Sequence, residues 1–303
     1  MNDKVKQSIE YLKSFCSDTY TVLNSGGKDS AVVAELCRMA DVPFKQVHNL
    51  TTVDAPETFY YVRSQGIEIN RPKLSMWQLI VKKMLPPTRL MRYCCYELKE
   101  TYGEGELLVT GVRGAESRAR KDNGGLIKIL DCTKKALREF KAVNEEFDKV
   151  FLKTEKGGWI LNNDNEVGRN IVEHCYQQHK IMVNPIFDWT DRDVWDFIRE
   201  RKIEINPLYS KGYCRVGCIG CPLGSIKNIY REFNQYPQYK KLYIHAFDRM
   251  IQNRLDHGKP TIWKNGEECF RWWLGENPDQ LRFEDIMTIK EDMLDIHYEY
   301  ELV

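Results

Sequence analysis

The sequence lacks the features that would direct the protein to a membrane or to a strongly charged partner. None of its apolar runs approaches the roughly 18 residues that a membrane-spanning helix needs. The first residues, MNDKVKQSIEYLKSF, form a charged amphipathic pattern and not the apolar stretch of a signal peptide. The 45 basic and 44 acidic residues leave a formal charge of +1, so no overall field favours nucleic acid or anionic lipid. We therefore expect a soluble, cytoplasmic protein that makes no membrane contact.

Internal repeats and low-complexity linkers are also missing, although 303 residues is long for one domain. Cysteine, in contrast, is abundant, with ten in the chain. Because the cytoplasm keeps thiols reduced, metal binding or redox chemistry explains these cysteines better than a disulfide framework does.

A glycine turn near the start of the chain separates an apolar run, Tyr20–Leu23, from a helical pattern. The turn consists of Ser25, Gly26, Gly27, Lys28, Asp29 and Ser30. The first amides of a helix lack partners and lie at the positive end of its dipole, and glycines let an anion approach them closely. Lys28 and the serine hydroxyls add donors, so the pattern predicts a phosphate site. The Walker A spacing is absent, and a capped turn without a ligand is the alternative.

Apolar runs that predict strands alternate with helical patterns, which is typical of an α/β fold with a doubly wound, mostly parallel sheet. The predicted strands are 20–24, 44–50, 67–69 and 107–111, and the predicted helices include 4–16, 31–40, 76–84 and 191–201, with Thr190 as an N-cap. Ligands of such sheets bind beyond the carboxyl ends of the strands. The glycine turn, Asp54 and Arg113 all follow predicted strand ends, so we expect one crevice to collect them.

We divide the chain into two parts. Residues 1–229 form the α/β domain and carry the cysteine cluster; within them, 120–180 is polar and weakly periodic, which indicates an insertion or lid. Residues 230–303 form a helical C-terminal extension, whose aromatic residues we assign to its core. The sequence does not specify the oligomeric state.

Five cysteines lie in two clusters. Cys94 and Cys95 are adjacent, and Cys214, Cys218 and Cys221 lie in GYCRVGCIGCP. Two separated pairs can close a four-thiolate site, which holds either zinc or an iron–sulfur cluster. Adjacent side chains diverge, which suits the separated irons of a [4Fe–4S] cluster better than a single zinc ion. Buried thiols or a redox pair are the alternative without metal.

Four motifs resemble the phosphoadenosine/adenosine phosphosulfate reductase family of the PP-loop superfamily. They are the SGGKDS turn, the Cys94-Cys95 and Cys218-x-x-Cys221-Pro pairs, the segment LVTGVRGAESR, and NPIFDWT followed by DVW. The resemblance implies the fold of the adenine nucleotide alpha hydrolase-like proteins. It also implies an enzyme that binds ATP or an adenylyl sulfate.

The resemblance assigns roles to individual residues. Lys28, Asp29 and Arg113 are the candidate catalytic residues. The nucleotide-binding candidates are Ser25, Gly26, Gly27, Lys28, Asp29, Ser30, Asp54, Gly111, Arg113 and Arg118. The cluster ligands are Cys94, Cys95, Cys218 and Cys221, with Cys214 as a replacement for one of the adjacent pair or as a free thiol. Asp29 and Asp54 are candidate Mg²⁺ ligands, with helix capping as the equal alternative. The two arginines would hold phosphate or sulfate oxygens, with surface ion pairing as their alternative.

The sequence departs from the reductase pattern near its end. Phosphosulfate reductases carry a C-terminal ECG-type cysteine that attacks sulfur, whereas Cys269 lies in a pattern typical of a helix core. The complete SGGKDS turn instead resembles the ATP-using branch, which includes tRNA thiolation enzymes and the iron–sulfur subunit of DNA phosphorothioation. There, ATP adenylates an oxygen and a sulfur then displaces AMP. We therefore expect an iron–sulfur enzyme of sulfur activation or transfer.

Two other functions stay open: a genuine reductase that uses Cys269 and releases sulfite, and a nucleotide or redox sensor without catalysis. The enzymes need a nucleotide substrate and a sulfur donor or reductant protein as partners. A small basic cluster makes nucleic acid a further candidate acceptor, although nucleotide binding explains most of that cluster. Its members are Arg113, Arg118, Arg120 and Lys121.

Overall fold

The computed structural model describes residues 2–130, 134–155, 158–175 and 179–276. Its contacts divide the chain into two compact units. The sheet unit contains the described residues of Met1–Lys73 and Tyr93–Ile219, and the helical unit contains Leu74–Arg92 and the described residues from Gly220 onward. We predicted a division after residue 229. The division by contacts falls at Gly220 instead, and it assigns residues 74–92 to the helical unit.

Eight strands form one sheet in the described part of the sheet unit. They are β1 (Tyr20–Leu23), β2 (Phe44–Asn49), β3 (Glu68–Asn70), β4 (Leu107–Val109), β5 (Ile127–Ile129), β6 (Leu152–Lys153), β7 (Trp159–Leu161) and β8 (Ile181–Val183). Their order across the sheet is β3-β2-β1-β4-β8-β5-β7-β6. The first five strands of this order pair in parallel, and β5, β7 and β6 join in antiparallel pairs. The predicted α/β fold with a mostly parallel sheet is confirmed.

The central strands are apolar along their length because helices cover both faces of a parallel sheet. In β1 the register pairs Tyr20 with Phe44 of β2 and with Leu107 of β4. Tyr20, Val22 and Val109 are fully or almost fully buried in the main core. The carboxyl ends of β1, β2 and β4 consequently meet at one edge of the sheet, where the glycine turn begins.

The sheet unit has several helices and two short non-α turns. The helices are α1 (Asp3–Ser14), α2 (Lys28–Ala40), α3 (Pro56–Ser64), α5 (Tyr93–Cys95), α6 (Arg118–Asn123), α7 (Lys134–Val143), α8 (Phe147–Val150), α9 (Glu166–Cys175) and α10 (Asp191–Arg201), while α4 (Met76–Lys83) belongs to the helical unit. A π-helical turn spans Tyr96–Glu100 and a 3₁₀ turn spans Gly114–Glu116. Helix α2 packs against α1 and α10. The predicted N-cap of α10 is confirmed, since the Thr190 side chain accepts a hydrogen bond from the Asp193 amide.

The region 120–180, for which we predicted an insertion or lid, supplies part of the main sheet. It contributes β5, β6 and β7, together with α7, α8 and α9. Three of its aromatic residues, Phe140, Phe147 and Phe151, are buried in the same core as β1 and β4. Their stacked rings, with centroids 5.4 and 4.7 Å apart along the series, anchor the region to that core.

The helical unit combines α4 with α11 (Ile226–Gln235), α12 (Pro237–Asp256) and α13 (Gly266–Trp273). Helix α12 is its centre and packs against the other three. Tyr243, Phe247 and Phe270 are buried here, so the aromatic residues form a core as predicted. Among the described residues, no helix is both long and apolar enough to cross a membrane.

Candidate functional site

Hydrogen bonds from within its own segment shape the turn after β1. Asn24 Oδ1 accepts from the Gly26 amide at 2.8 Å and from the Ser30 hydroxyl at 2.9 Å. Gly26 has a φ of +74°, in the left-handed region that favours glycine, and a Cβ there would lie 2.7 Å from Thr58 Cγ2. Gly27 is the N-cap of α2. Having no side chain, it cannot cap the first amides, so the positive end of the helix faces the turn.

Two residues from late in the sheet unit hold this turn in place. Asn206 is buried, and its Nδ2 donates to the Gly26 carbonyl at 3.1 Å and to Thr58 Oγ1 at 3.0 Å. The Tyr209 hydroxyl accepts from the Lys28 amide at 2.8 Å. Burial raises the pKa of Tyr209 to about 12, so this hydroxyl keeps its proton at neutral pH. Sequence reasoning did not identify either residue.

An ionic network lies at the start of α2 and connects three predicted site residues. Arg113 donates through Nε to Asp29 Oδ1 at 2.7 Å, and Lys28 Nζ lies 3.0 Å from Asp29 Oδ2. Asp191 completes the network, with its Oδ1 2.7 Å from Arg113 Nη2 and 3.3 Å from Lys28 Nζ. The Arg113 side chain is only 2% exposed. Two cations and two carboxylates thus alternate at the end of β4 and the start of α2.

Asp191 was absent from the predicted site because its position suited a helix start. Burial alone would raise the pKa of its carboxyl group, but the hydrogen bonds and charges of Arg113 and Lys28 outweigh burial and lower that pKa. Asp191 is therefore ionised at neutral pH. The one sequence signal for it is its place directly after the DWT segment.

Gly111 lets the end of β4 approach α2. A Cβ at Gly111 would lie 2.8 Å from the backbone carbonyl carbon of Asp29 and 2.9 Å from its carbonyl oxygen. These distances are far below van der Waals contact, so a larger residue would displace either Asp29 or Arg113. The structure gives the predicted Gly111 a packing role beside the network.

The predicted Arg118 does not join the network. Its side chain is 95% exposed and its Nε lies 3.8 Å from Asp122 Oδ2. Arg120 is closer to the site, because it pairs with Glu116, which also accepts from the Arg113 amide. Burial lowers the pKa of Arg120, and so do the nearby charges of Arg215 and Arg113. The structure therefore brings Arg120 to the site in place of Arg118.

A cavity of about 140 Å³ opens beside the glycine turn. Its walls come from the ends of β1 and β2 and from three later segments: Leu23, Asn24, Ser25, Val47, His48, Asn49, Asp54, Thr58, Lys99, Val216 and Gly217. The predicted Asp54 lies here and not in the ionic network. Its Oδ2 accepts from the Thr51 amide at 2.7 Å and lies 3.9 Å from His48 Nε2.

Two of the predicted cluster ligands lie near one lysine. Cys218 forms an isolated β-bridge with Asp54, and the next residue, Ile219, donates its amide to the Val53 carbonyl at 2.8 Å. Cys95 ends α5, and the π-helical turn that follows contains Lys99. The charge of Cys218, then those of Asp54 and Cys95, raise the pKa of Lys99 well above its usual range although burial opposes them.

The other cysteines differ in exposure. Cys94 is buried, Cys214 is exposed, and Cys221 is half-buried in the helical unit. Within residues 2–130, 134–155, 158–175 and 179–276, no three His, Cys, Asp or Glu side chains are arranged to bind a metal ion. Cys269 is fully buried in α13, where burial raises the pKa of its thiol strongly.

The first strand of the parallel part of the sheet runs through a glycine turn into a helix, and the cations Lys28 and Arg113 lie at that point. This arrangement defines a nucleotide- or phosphate-binding class of protein. Within that class the family is clear. A model of the phosphoadenosine phosphosulfate reductase domain matches residues 19–223, which is more than half of the chain. The chain belongs to this family.

Similar proteins include characterised and uncharacterised members. An uncharacterized protein of Methanocaldococcus jannaschii is 23% identical over 82% of this chain and 55% of its own length. The adenosine 5′-phosphosulfate reductase of Allochromatium vinosum is 44% identical over 13% of this chain and 15% of its own length. The chain thus matches little more than half, or less, of these relatives. The phosphoadenylyl-sulfate reductase of Candida auris, solved as a phosphate complex, aligns with a TM-score of 0.42 at 17% identity, covering 70% of this chain and 88% of that chain.

Proposed function

We propose that this chain binds ATP or an adenylyl sulfate at its SGGKDS turn and acts in sulfur activation or transfer with a [4Fe–4S] cluster. The observation that carries the nucleotide part is the network of Lys28, Asp29, Arg113 and Asp191 at the start of α2. Buried cations beside a helix N-terminus form an anion site, because each favours negative charge and neither is screened by water.

The network can exchange its carboxylates for phosphate. Lys28 and Arg113 are held by Asp29 and Asp191 at 2.7–3.3 Å. A phosphate group has the same sign of charge and more acceptor oxygens, so it can accept the same hydrogen bonds. Asp29 would then be free to bind the Mg²⁺ that accompanies ATP. We favour Asp29 over Asp54 for this role, because Asp54 lies in the cavity, apart from the network.

The chain's residues suit adenylyl transfer. An oxygen of the acceptor bonds to the α-phosphorus of ATP while the bond from that phosphorus to pyrophosphate breaks. Negative charge grows on the departing pyrophosphate, where Lys28, Arg113 and the first amides of α2 stabilise it. In the second step a sulfur nucleophile bonds to the activated atom of the acceptor, and AMP leaves with the acceptor's former oxygen. The acceptor, small molecule or nucleic acid, is the unspecified part of the proposal.

Two of the predicted thiolates support the proposed cluster. Cys95 and Cys218 both influence Lys99, whose ammonium would offset the negative charge of a thiolate-bound centre. Cys94 and Cys221 complete the proposed ligands, with Cys214 as an exposed substitute and zinc as the alternative metal. When bound, an iron–sulfur cluster would supply an electron-transfer or sulfur-binding centre. The positive charge of Lys99 would stabilise the negative charge of that centre next to the cavity wall.

The reductase alternative needs an accessible thiolate at Cys269. That thiol is 0% exposed, and its surroundings raise its pKa strongly. Since the thiolate is the reactive form, a buried thiol of raised pKa is a poor nucleophile. This observation favours sulfur activation or transfer over direct attack by Cys269 on an adenylyl sulfate.

The test is anaerobic purification with iron and sulfide quantified, followed by titration with ATP, adenosine phosphosulfate and phosphoadenosine phosphosulfate. We expect iron and sulfide to copurify and at least one nucleotide to bind. Lys28→Met should weaken binding about a hundredfold, because it removes a buried charge from the network. Lys45→Met, which removes an exposed lysine that pairs with Glu106, is the matched control and should leave binding unchanged.

Absence of iron under anaerobic conditions would contradict the cluster, and equal binding by wild type and Lys28→Met would contradict the nucleotide site. Exchange of labelled pyrophosphate into ATP, measured across candidate acceptors, separates the enzyme from a sensor. Binding without exchange for any acceptor would favour the sensor.

A further inference from the structure

The Tyr209 hydroxyl lies at the first amide of α2. It accepts a hydrogen bond from the Lys28 amide at 2.8 Å, and it lies 3.5 Å from the position that a Cβ on Gly27 would occupy. An anion that binds at the positive end of this helix would consequently lie next to the hydroxyl.

The oxygen of this hydroxyl accepts one hydrogen, but its own proton has no acceptor in the described part of the chain. A neutral phenol carries one proton in addition to its acceptor sites. Burial raises the pKa of Tyr209 to about 12, so the hydroxyl keeps that proton at neutral pH. Such a donor, half-buried beside Lys28, suits a ligand that accepts hydrogen bonds, as phosphate and sulfate oxygens do.

The space in front of the hydroxyl is open because Gly27 has no side chain. A Cβ there would lie 3.2 Å from Ser25 Oγ and 3.5 Å from Tyr209 Oη, so the two hydroxyls border one small space. Gly27 has a φ of −95° and a ψ of 167°, an extended conformation that other residues also adopt. The backbone conformation therefore does not require glycine at this position, whereas a ligand oxygen in the space would.

Packing and backbone hydrogen bonds hold the Tyr209 ring in place. The ring meets Trp195 of α10 edge-on, with centroids 5.4 Å apart and planes at 90°. The Tyr209 amide donates to the Asn206 carbonyl at 3.1 Å, and its carbonyl accepts from the Gly212 amide at 3.1 Å. Helix α10 begins with Asp191 of the ionic network, so one helix positions both the network and the ring. A donor fixed in advance stabilises a ligand's charge without the cost of reorientation.

We propose that Tyr209 is a further ligand-binding residue of this site, whose hydroxyl donates to an oxygen of the phosphate or sulfate group bound at the glycine turn. The inference rests on the proposed nucleotide site and adds a donor that was not among the predicted site residues. In the free protein the hydroxyl accepts from the Lys28 amide. In the bound protein a ligand oxygen accepts from both the amide and the hydroxyl, so Tyr209 changes from an acceptor to a donor when the anion binds.

The test compares the wild type with Tyr209→Phe by calorimetric titration. The ligands are ATP, adenosine phosphosulfate and adenosine, which has neither phosphate nor sulfate. For whichever of the two anionic ligands the wild type binds, we expect about tenfold weaker binding by Tyr209→Phe, because a hydrogen bond to a charged group is lost. The affinity for adenosine should be the same for both proteins. The anionic ligand that responds identifies the source of the oxygen.

The direction of the change separates ligand binding from support of the turn. Tyr209→Phe leaves the Lys28 amide without its acceptor in the free protein, and a bound anion would supply one. If the hydroxyl only supported the turn, the variant would therefore bind the anion as tightly as the wild type, or more tightly.

Tyr61→Phe is the matched control for the loss of a buried hydroxyl in the same unit. The Tyr61 hydroxyl donates to the Glu204 carbonyl at 3.0 Å, and burial raises the pKa of Tyr61 to about 12 as well. This variant should leave the affinities for all three ligands unchanged.

A second variant leaves the phenol in place. If Tyr209→Phe fails to fold by circular dichroism, Gly27→Ala fills the space in front of the hydroxyl, where its methyl group meets the ends of two side chains. It should fold and bind the anionic ligand about tenfold more weakly, because the methyl group occupies the position of the ligand oxygen.

Equal or tighter binding of the anionic ligand by folded Tyr209→Phe would overturn the inference, as would an equal loss of affinity for adenosine. Unchanged binding by Gly27→Ala would overturn it where that variant is used. The nucleotide site would stand in these cases, provided that Lys28→Met binds more weakly than the wild type. Failure of the wild type to bind ATP, adenosine phosphosulfate and phosphoadenosine phosphosulfate alike would overturn the proposed function, and the inference with it.

Discussion

The glycine turn and the cysteine segments are the two chemically marked regions of the sheet unit, and they differ in how their parts are brought together. The turn is one strand–turn–helix of consecutive residues, in which Lys28 and Asp29 pair at 3.0 Å, and Arg113 and Asp191 join them from later segments at 2.7–3.3 Å. Cys95 and Cys218 come from separate segments, and both raise the pKa of Lys99. Cys221 belongs to the helical unit. A site made by one local unit is specified by a short sequence, whereas a site with distant ligands depends on long-range packing.

The largest expected effect comes from removing Arg113, which tests whether the ionic network stabilises the glycine turn. Arg113→Met removes a buried guanidinium and leaves Asp29 and Asp191 facing each other across the gap with Lys28 alone. Removing one partner from a buried charge network costs about 3 kcal/mol, because the Lys28 and Asp29 charges that remain are largely buried. We expect this loss in the free energy of unfolding, measured by urea denaturation, together with loss of nucleotide binding.

The exposed Arg118 provides the matched control for this experiment. Its side chain is 95% exposed, so Arg118→Met should change the free energy of unfolding by less than about 0.5 kcal/mol. If both variants lost the same stability, the burial of Arg113 would not be the reason for its effect.

A smaller effect is expected where backbone packing differs between the two regions. At Gly111 an added Cβ meets the Asp29 backbone at 2.8 Å, whereas at Gly217, in the segment that carries Cys218, it meets nothing within 4 Å. Gly111→Ala should therefore cost about 1–3 kcal/mol and weaken nucleotide binding, since the clash displaces Asp29. Gly217→Ala should leave the free energy of unfolding nearly unchanged. Equal melting temperatures for the two variants would show that β4 can move away from α2 without cost.

The sequence predicted the part of the fold that has strong local patterns. Short apolar runs identified β1 and β4, and the pattern before Arg201 identified α10 with its Thr190 cap. Strand β2 was also predicted, although most of its residues are polar. The antiparallel strands β5, β6 and β7 were missed because they have only two or three residues and lie among polar segments. Their place in the sheet depends on pairing with β8 and with each other, which no local periodicity records.

In the site, too, residues within local patterns were predicted and residues brought in by long-range packing were not. The turn residues and Arg113 were predicted because they sit next to strand ends within recognisable segments. Tyr209 contacts the Lys28 amide from 181 residues away, and Asn206 reaches Gly26 across 180. Nothing in a single sequence pairs such residues. Arg118 was predicted instead of Arg120 because of its position in the motif. In α6, however, the Arg118 side chain is 95% exposed and that of Arg120 is 38% exposed.

The smallest expected effect concerns Asp191, the exposed edge of the network. Its folded pKa is lowered below the unfolded value of about 3.9, so its contribution to stability is present above that pH and is lost as the pH falls through the lower folded pKa. Because its side chain is 75% exposed, we expect Asp191→Asn to cost only about 0.5–1 kcal/mol at neutral pH. The difference between wild type and variant, followed by urea denaturation, should shrink below about pH 4 and in 1 M salt. A difference that persisted under both conditions would mean that Asp191 stabilises the protein through its packing as the N-terminal residue of α10, and not through its charge. Packing, and not ion pairing, would then stabilise the turn region, as in the cysteine segments.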